Sequence, residues 1–484
     1  MSRAIVLRVA REEWRYWRRS RLALVTLGVG LLIILIAIAT TAVRVQTEHG
    51  ARHDMQALAE ARFLEQPARH PHRMVHYGHY VFREPPPLAV IDPGVDAVTG
   101  TVMFLEGHRQ NSATFSPFFA TALAGEFANL TPALVYQLLA PLLLIVVGFS
   151  SLAREREAGT DRLLYATSLS PLQLWGGKAL ALTGLCGLLM VPLLLAGTYA
   201  VATGESGGAT AALLGGYALY LLIWALIVVG VSAWSSRSAA ALLGLLVAWI
   251  VLGVLAPGVV ASLAERQAPT QGKLRTDLEV ARTLRDEGDG HNASDPAFAS
   301  LRAGLLSQYN VDKIEDLPVN FRGVVAEFAE ARLTDILNRF AEQRLELERR
   351  QSDAATSLSL LSPRLAMSAY SLRMANTDLA QLHQFLRSAE DNRFAFVQGL
   401  NKLHATDMSY VDDINRSANA ESERRTRLNA ENWRLLESFD APLPDAAQRM
   451  DRAWPALLMM LLWAAVGGGL GCYGALRSAA RVNA

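Results

Sequence analysis

The sequence has 484 residues, of which 51% are hydrophobic and 19% charged, and its formal net charge at pH 7 is +1. This composition excludes an ordinary soluble enzyme, because the hydrophobic residues are concentrated in long uninterrupted blocks. No basic stripe with interleaved aromatic residues lies outside the flanks of these blocks, which argues against nucleic-acid binding. Cys186 and Cys472 both lie in apolar blocks, so neither a disulfide framework nor a thiolate metal site is expected.

Six blocks of the sequence contain no Asp, Glu, Lys or Arg. Each is long enough to supply the roughly 20 helical residues that cross a hydrocarbon core about 30 Å thick. We therefore predict a mainly α polytopic membrane protein with six transmembrane helices. The predicted spans are residues 22–43, 132–153, 179–203, 209–234, 238–264 and 454–476.

Residues 1–21 combine seven arginines with Trp14 and Trp17, which predicts a cytoplasmic helix in the lipid headgroup layer. A purely basic topology anchor is the alternative. The apolar block that follows is longer than the h-region of a signal peptide, so we expect a retained span. Lys and Arg are enriched in the short loops on the side of this helix, which predicts that both termini, including the tail 477–484, are cytoplasmic.

Residues 44–131 separate the first two spans, and we predict a small mixed α/β segment on the outer side of the membrane. Residues 49–66 have helical spacing that ends at Pro67, and residues 115–127 are expected to form an interfacial helix. Apolar runs bounded by Pro and Gly predict short strands at 80–82, 88–91 and 101–105.

The same segment contains a dense group of potential metal ligands, His70, His72, His76 and His79. Imidazoles at this spacing can bind zinc or copper, and Met74 offers a thioether to copper. Arg69 and Arg73 would repel a cation, and no acidic residue lies between them. We therefore expect a structural polar turn here, with metal binding as the alternative.

A charged cytoplasmic segment, residues 154–178, follows the second span. Thr160 or Asp161 is predicted to cap a short helix, and Ser170 followed by Pro171 to start the next one. Charges and exposed leucines in this segment would offer ion pairs and an apolar contact to a docking protein, whereas an ordinary inter-span loop is the alternative. The expected contact residues are Glu155, Arg156, Glu157, Gly159, Thr160, Asp161, Leu163 and Leu164.

Residues 265–453 form a larger insertion before the last span, and we predict an all-helical extracytoplasmic domain. Apolar residues recur at helical spacing from Val325 to Arg350 and again from Leu379, with residues 376–378 offering an N-cap. A charged stretch at 411–439 is expected to pair as a helical hairpin, and residues 288–296 to form a loop.

No catalytic motif is present in the sequence. Gly176-Gly177-Lys178 is followed by Ala179 and therefore is not a phosphate-binding loop. There is no Gly-x-Ser-x-Gly or His-Glu-x-x-His motif, and no ionisable residue lies within a predicted span to relay protons. We expect a non-catalytic membrane subunit with no cofactor of its own.

The run Glu155-Arg156-Glu157-Ala158-Gly159-Thr160, followed by Leu163-Leu164, Ser168-Leu169-Ser170-Pro171 and Gly177-Lys178, resembles the coupling-helix region of ABC-2 type (type V) ABC transporter permeases. The six predicted spans and the basic N-terminal helix are similar to that family as well. Residues 76–82, 92–94, 361–363 and 376–378 resemble a bacterial subgroup whose large extracytoplasmic insertion has no assigned function.

The resemblance implies a permease subunit in the bacterial inner membrane that couples ATP hydrolysis to export or to extracytoplasmic remodelling. Its implied partners are two copies of a cytosolic ABC ATPase, which bind ATP and Mg²⁺, and a second permease subunit, identical or paralogous. Two alternatives stay open. One is a mechanotransmitting scaffold whose outer domain binds a periplasmic or outer-membrane partner without moving a substrate, and the other is periplasmic metal handling.

Overall fold

A computed structural model describes residues 3–114, 130–167, 169–269, 272–287, 295–436, 438–439 and 441–483. Within these residues, six helices are long and apolar enough to cross a membrane, which confirms the prediction of a mainly α polytopic membrane protein. They are Arg21–Leu64, Pro132–Glu157, Pro171–Ala202, Gly207–Trp234, Ser238–Gln267 and Ala446–Ala480. The helix expected at 115–127 and most of the loop expected at 288–296 lie outside the described residues.

The chain begins with helix α1 (Arg3–Arg19), which lies against the bundle and turns at Ser20 into α2 (Arg21–Leu64). The Ser20 hydroxyl accepts a hydrogen bond from the backbone N–H of Ala23 at 3.3 Å, so an N-cap separates the two helices. With 44 residues, α2 is about 66 Å long, roughly twice the thickness of a hydrocarbon core. The helix expected at 49–66 is therefore the continuation of the first span. We call the end of the bundle that carries α1 the α1 end, and the opposite end, which carries the insertion, the insertion end.

Beyond α2 lie helix α3 (Pro71–Tyr77) and strands β1 (His79–Phe82) and β2 (Val102–Leu105), which pair antiparallel. The strand predicted at 88–91 is wrong, because Pro87–Val90 forms a 3₁₀ turn in which Ile91 N donates to Leu88 O at 2.9 Å. Prolines 85–87 have no N–H to offer a sheet, and the apolar residues after them are buried by turning onto the bundle instead.

The second span consists of α4 (Pro132–Leu134), the π-helical turn Val135–Leu139, α5 (Ala140–Gly148) and α6 (Ala153–Glu157). Helix α7 (Thr160–Ala166) leads to the third and fourth spans, α8 (Pro171–Ala202) and α9 (Gly207–Trp234). The fifth consists of α10 (Ser238–Trp249), the π-helical turn Ile250–Leu255 and α11 (Ala256–Gln267). Each π-helical turn ends two residues before a proline, Pro141 or Pro257, whose missing N–H and ring crowding favour a widened turn.

The insertion contains α12 (Lys273–Glu287), α13 (Ala299–Tyr309), α14 (Phe321–Ser357), α15 (Pro363–Met374), α16 (Leu379–Thr406), α17 (Tyr410–Asn415) and α18 (Ala420–Arg425), and the last span is α19 (Ala446–Asn483). Helices α14 and α16 confirm the two periodic stretches of the sequence, and Asp378 is the N-cap of α16, accepting from Gln381 N at 3.3 Å. The stretch at 411–439, expected to be helical and to pair with its neighbours as a hairpin, is not one helix but contains the short helices α17 and α18, which are joined by the Arg425–Asp412 ion pair at 2.7 Å. It has too few apolar residues for a long helix to bury.

One helix of the insertion, α15, packs among the membrane-spanning helices α9 and α19. The Tyr370 hydroxyl donates to Ala212 O of α9 at 2.8 Å, and the Ser371 hydroxyl lies 2.9 Å from the Tyr217 hydroxyl. Gly216 leaves room for the Tyr370 ring, since a Cβ at this position would lie 2.2 Å from Tyr370 Cε1. The insertion is thus anchored directly to the spans.

The two segments that separate spans at the insertion end share a hydrophobic cluster. Phe63 at the end of α2 packs against Phe396 of α16 with ring centroids 5.2 Å apart, and Met74 of α3 is buried in the same cluster. The indole of Trp433 donates to Gln66 O at 2.8 Å. The first segment and the insertion are therefore joined by core packing as well as by the chain.

Candidate functional site

At the α1 end, the short helices α6 and α7 are joined by a turn at Gly159. Gly159 has φ = 69°, a left-handed conformation that glycine adopts at little cost, and it occupies the N-cap position of α7. The prediction that Thr160 or Asp161 caps this helix is therefore wrong. The Thr160 hydroxyl instead donates to the Glu155 carboxylate at 2.7 Å, and Asp161 Oδ1 accepts from Arg162 N at 2.9 Å. The Thr160 hydrogen bond thus joins α7 to α6.

A buried group of charges connects α6 to α1 and α8. The Glu13 carboxylate of α1, whose side chain has no exposed surface, accepts from Lys178 Nζ of α8 at 2.6 Å and from the Arg154 guanidinium of α6. Lys178 Nζ also lies 3.1 Å from Glu155 Oε1. The two cations and two carboxylates balance, as buried charges must if they are to stay ionised.

The next two charged residues of α6 bind the ends of other spans. The Arg156 guanidinium donates to Ser235 O at 2.7 Å and to Ala233 O at the C-terminal end of α9. The Glu157 carboxylate accepts from Ser238 N at the start of α10, at 3.1 Å. A cation on free carbonyls and a carboxylate on a free N–H are the pairings that helix ends favour.

The start of α6 is fixed by a serine of α9. The buried Ser232 hydroxyl accepts from the backbone N–H groups of Leu152 and Ala153, at 3.0 and 3.1 Å. These donors have no partner within the first turn of a helix, so a single side chain satisfies two of them. As a result α6 is bonded at its start to α9 and along its length to α1, α8, α9 and α10.

Of the eight residues expected to contact a docking protein, three are exposed and five are buried or half-buried. Glu157, Gly159 and Leu163 are exposed, and the Leu163 side chain is 68% exposed. Asp161 is buried, and Leu164 is half-buried against the main hydrophobic core. The remaining three, Glu155, Arg156 and Thr160, are half-buried and make the internal bonds described above.

Five residues of this site were not among the expected ones, namely Arg154 and Lys178 of the charged segment together with Glu13, Arg162 and Ser232. Glu13 could have been noticed, because Glu12 and Glu13 are the only acidic residues among the arginines of residues 1–21. Arg162 is exposed beside Leu163 and carried no separate signal. Ser232 is one of several serines at span ends, and only its position against α6 distinguishes it.

The four histidines of the segment between the first two spans do not form one group. His79 is buried against the Phe63 ring with centroids 5.6 Å apart, and burial lowers its pKa to about 4. His70 joins a buried group within the insertion, whereas His72 and His76 meet a third histidine from elsewhere. The expected four-histidine cluster is therefore corrected to separate sites, because α3 points residues 70 and 72 in different directions.

The His70 group is a buried network of hydrogen bonds and ion pairs. His70 Nδ1 accepts from His72 N at 3.2 Å, and its Nε2 lies 3.1 Å from Asp413 Oδ1. His404 Nε2 lies 2.9 Å from Asp413 Oδ2 and Arg416 lies 3.3 Å from Oδ1. Burial lowers the pKa of His70 to about 4, and burial of Asp413 is outweighed by its histidine partners, which lower its pKa. These contacts hold α17 against α16 and against the start of α3.

Comparison with known families recognises the insertion only. Residues 273–441 match a domain of unknown function, DUF3526. No curated protein and no solved structure matches the chain. The matched region comprises α12 to α18 and includes His404 and Asp413, whereas the bonded segment at the α1 end lies outside it.

Proposed function

We propose that this chain is the membrane-spanning permease subunit of an ATP-binding cassette transporter of the ABC-2 type, in the bacterial inner membrane with both termini cytoplasmic. Two copies of a separate cytosolic ATPase would bind ATP and Mg²⁺, and a second permease subunit, identical or paralogous, would complete the complex. The observation that carries the proposal is the position of α6 and α7. They are bonded to α1, α8, α9 and α10 at one end of the bundle, and one face of α7 is left exposed.

The exposed face of α7 is suited to a docking groove. Leu163 projects from the helix beside Arg162, and Glu157 and Gly159 lie at the preceding turn. A lone exposed leucine among charged neighbours can anchor in an apolar pocket while the charges set its orientation. Leu164, the next residue along the helix, packs against the bundle, so α7 could contact a partner and the spans at the same time.

A force applied to α7 would reach the membrane domain along two routes. Thr160 and Glu155 pass it to Glu13 and Lys178, and hence to α1 and α8. Arg156 passes it to the end of α9, while Glu157 acts on the start of α10 in the same way. Packed elements of this kind shift as rigid bodies. The π-helical turns in the second and fifth spans are the points where these helices can bend.

The proposal is tested by coexpressing the chain with an ATPase subunit from the same operon and purifying the complex through the permease. The variant Leu163→Asp places a charge in the docking contact, and we expect at least a tenfold loss of bound ATPase, since burying a lone carboxylate costs more than about 1.4 kcal/mol. ATPase stimulation in proteoliposomes is expected to fall in parallel.

The matched control is Leu278→Asp, because the Leu278 side chain is 62% exposed on α12, far from α7 in the chain. This control should leave the bound ATPase unchanged. Full retention of the ATPase by a Leu163→Asp and Arg162→Glu double variant, at normal yield and activity, would remove the docking assignment.

A second candidate, a mechanotransmitting scaffold, is favoured by the packing of α15 among the spans. Tyr370 and Ser371 connect the insertion to α9, so movement of the bundle would reach the outer domain without a substrate crossing the membrane. The two functions differ in what regulates ATP hydrolysis. A scaffold would respond to a periplasmic partner and not to a transported solute or lipid in the proteoliposome.

A further inference from the structure

Three histidines meet at the insertion end, away from α6 and α7. His72 and His76 lie one turn apart on α3, and their Nε2 atoms are 3.2 Å apart. His108, which follows β2, has its ring centroid 5.4 Å from that of His72 and 5.1 Å from that of His76. One ring nitrogen from each residue lies within 4.8 Å of the other two. We call these residues the three-histidine cluster.

The spacing of the cluster suits a tetrahedral transition-metal ion. Zn–N bonds are about 2.0–2.1 Å long, so two ligand nitrogens on one zinc ion are roughly 3.3 Å apart. The 3.2 Å separation of the His72 and His76 nitrogens already meets this requirement. The two residues are four positions apart on a helix, which places both rings on one face. His76 is exposed, so an ion can enter from solvent and its ring can rotate toward His108.

The backbone around His108 is held in an unusual conformation. His108 has φ = 64°, which residues other than glycine rarely adopt. Gly107 N donates to Val75 O of α3 at 3.0 Å, and His108 N donates to Glu330 Oε2 at 3.1 Å. A Cβ at Gly107 would lie 2.0 Å from Val75 Cγ1, so the turn sits directly on α3. Strain of this kind, maintained by the surroundings, is typical of residues positioned for a ligand.

A buried carboxylate orients the third imidazole. Glu330 Oε2 lies 3.0 Å from His108 Nδ1, and Arg393 donates to Glu330 Oε1 at 2.5 Å. A carboxylate placed this close to Nδ1 would accept Nδ1–H and leave Nε2 of the same ring as a ligand, which is the usual arrangement behind metal-binding histidines.

The neighbouring residues define which ion the cluster would bind. The Arg69 guanidinium lies over the Tyr77 ring, 5.6 Å from its centroid, and Arg73 is 4.0 Å from Glu423, so both arginines have partners of their own. Met74 is buried in the shared hydrophobic cluster and cannot supply a thioether. Three imidazoles without a sulfur ligand favour a borderline divalent ion over Cu⁺.

We propose that His72, His76 and His108 bind one Zn²⁺ ion, with Glu330 orienting His108 and the fourth coordination position open to water. The ion would tie α3 and the turn after β2 to α14, and hence the first outer segment to the insertion. Zinc binding at this site would not depend on the proposed docking of an ATPase at α6 and α7, and it does not require that a substrate crosses the membrane.

The test is calorimetric titration of the full-length chain in detergent with ZnCl₂, using protein purified without a histidine tag and stripped with chelator. We expect one high-affinity equivalent of Zn²⁺ per chain. His76→Gln and His108→Asn should each weaken binding at least about 100-fold, and asparagine is chosen because it tolerates a left-handed backbone. Glu330→Gln should weaken it about 10- to 100-fold.

The control is His53→Gln, since the side chain of His53 on α2 is 70% exposed and lies outside the cluster. It should bind Zn²⁺ like the unmodified chain. Thermal unfolding without metal checks that the variants fold. If a variant at a buried position does not fold, the Zn²⁺ affinity of His76→Gln decides the outcome, because His76 is exposed. Absence of a stoichiometric Zn²⁺ equivalent, or unchanged affinity in both His76→Gln and His108→Asn, would overturn the proposal.

Discussion

The substitution Glu13→Gln removes one charge from the buried group at the α1 end without changing the size of the side chain. Glu13 has no exposed surface and pairs with Arg154 and Lys178. After the substitution, two cations face a single carboxylate, Glu155. One buried positive charge is then left without compensation.

The expected cost follows from the burial of the partners. Breaking a buried ion pair by removing one member typically costs about 3–5 kcal/mol. Lys178 is 6% exposed and retains Glu155 at 3.1 Å, whereas Arg154 is 21% exposed and can partly turn toward water. We therefore expect the lower end of that range, about 3 kcal/mol, or roughly a hundredfold shift toward the unfolded state.

The assay is thermal unfolding of the purified chain in detergent at one fixed heating rate. Glu12→Gln is the matched control, because Glu12 is 58% exposed and its pair with Arg15 lies on the surface. That pair should contribute less than about 1 kcal/mol. The double variant Glu13→Gln with Lys178→Met restores charge balance and should recover part of the lost stability.

An unfolding midpoint for Glu13→Gln that equals that of Glu12→Gln would refute the reasoning. It would mean that Arg154 and Lys178 reach water or other partners as readily as they bind Glu13. A double variant that is less stable than Glu13→Gln alone would likewise contradict the charge-balance argument.

Two further predictions concern the insertion end. Gly216→Ala should lower the free energy of unfolding by about 1–3 kcal/mol, because the added Cβ displaces Tyr370 and breaks its hydrogen bond to Ala212. Gly215→Ala is the control in the same assay; nothing lies within 4 Å of its Cβ, so it should leave the protein as stable or up to about 1 kcal/mol more stable. Stability should also fall as the pH drops from about 6.5 toward 4, because burial lowers the pKa of His79 from 6.5 to about 4 and only the unfolded chain binds the proton in that window. His79→Leu should flatten this part of the pH profile by up to about 3 kcal/mol, and an unchanged profile would contradict the assignment.

Local sequence signals identified the elements whose formation depends on neighbouring residues. Ser170 and Gln173 form the capping box of α8 directly before Pro171, and Asp378 caps α16, both as their spacing indicates. The apolar periodicity from Val325 identified α14 in the same way. The prediction of a strand at 88–91 was wrong, because prolines 85–87 and burial against the bundle outweigh β propensity there.

The sequence by itself determined that the described part of the chain contains six helices long and apolar enough to cross a membrane, because apolar blocks of about 20 uncharged residues are the pattern of a spanning helix. Only the tertiary structure decided which charges face inward. Glu13 and Lys178 are 165 residues apart, and His108 meets α3 across more than thirty positions. Such pairings depend on how the helices pack, which no local pattern records, and both the exposed face of α7 and the three-histidine cluster depend on this packing.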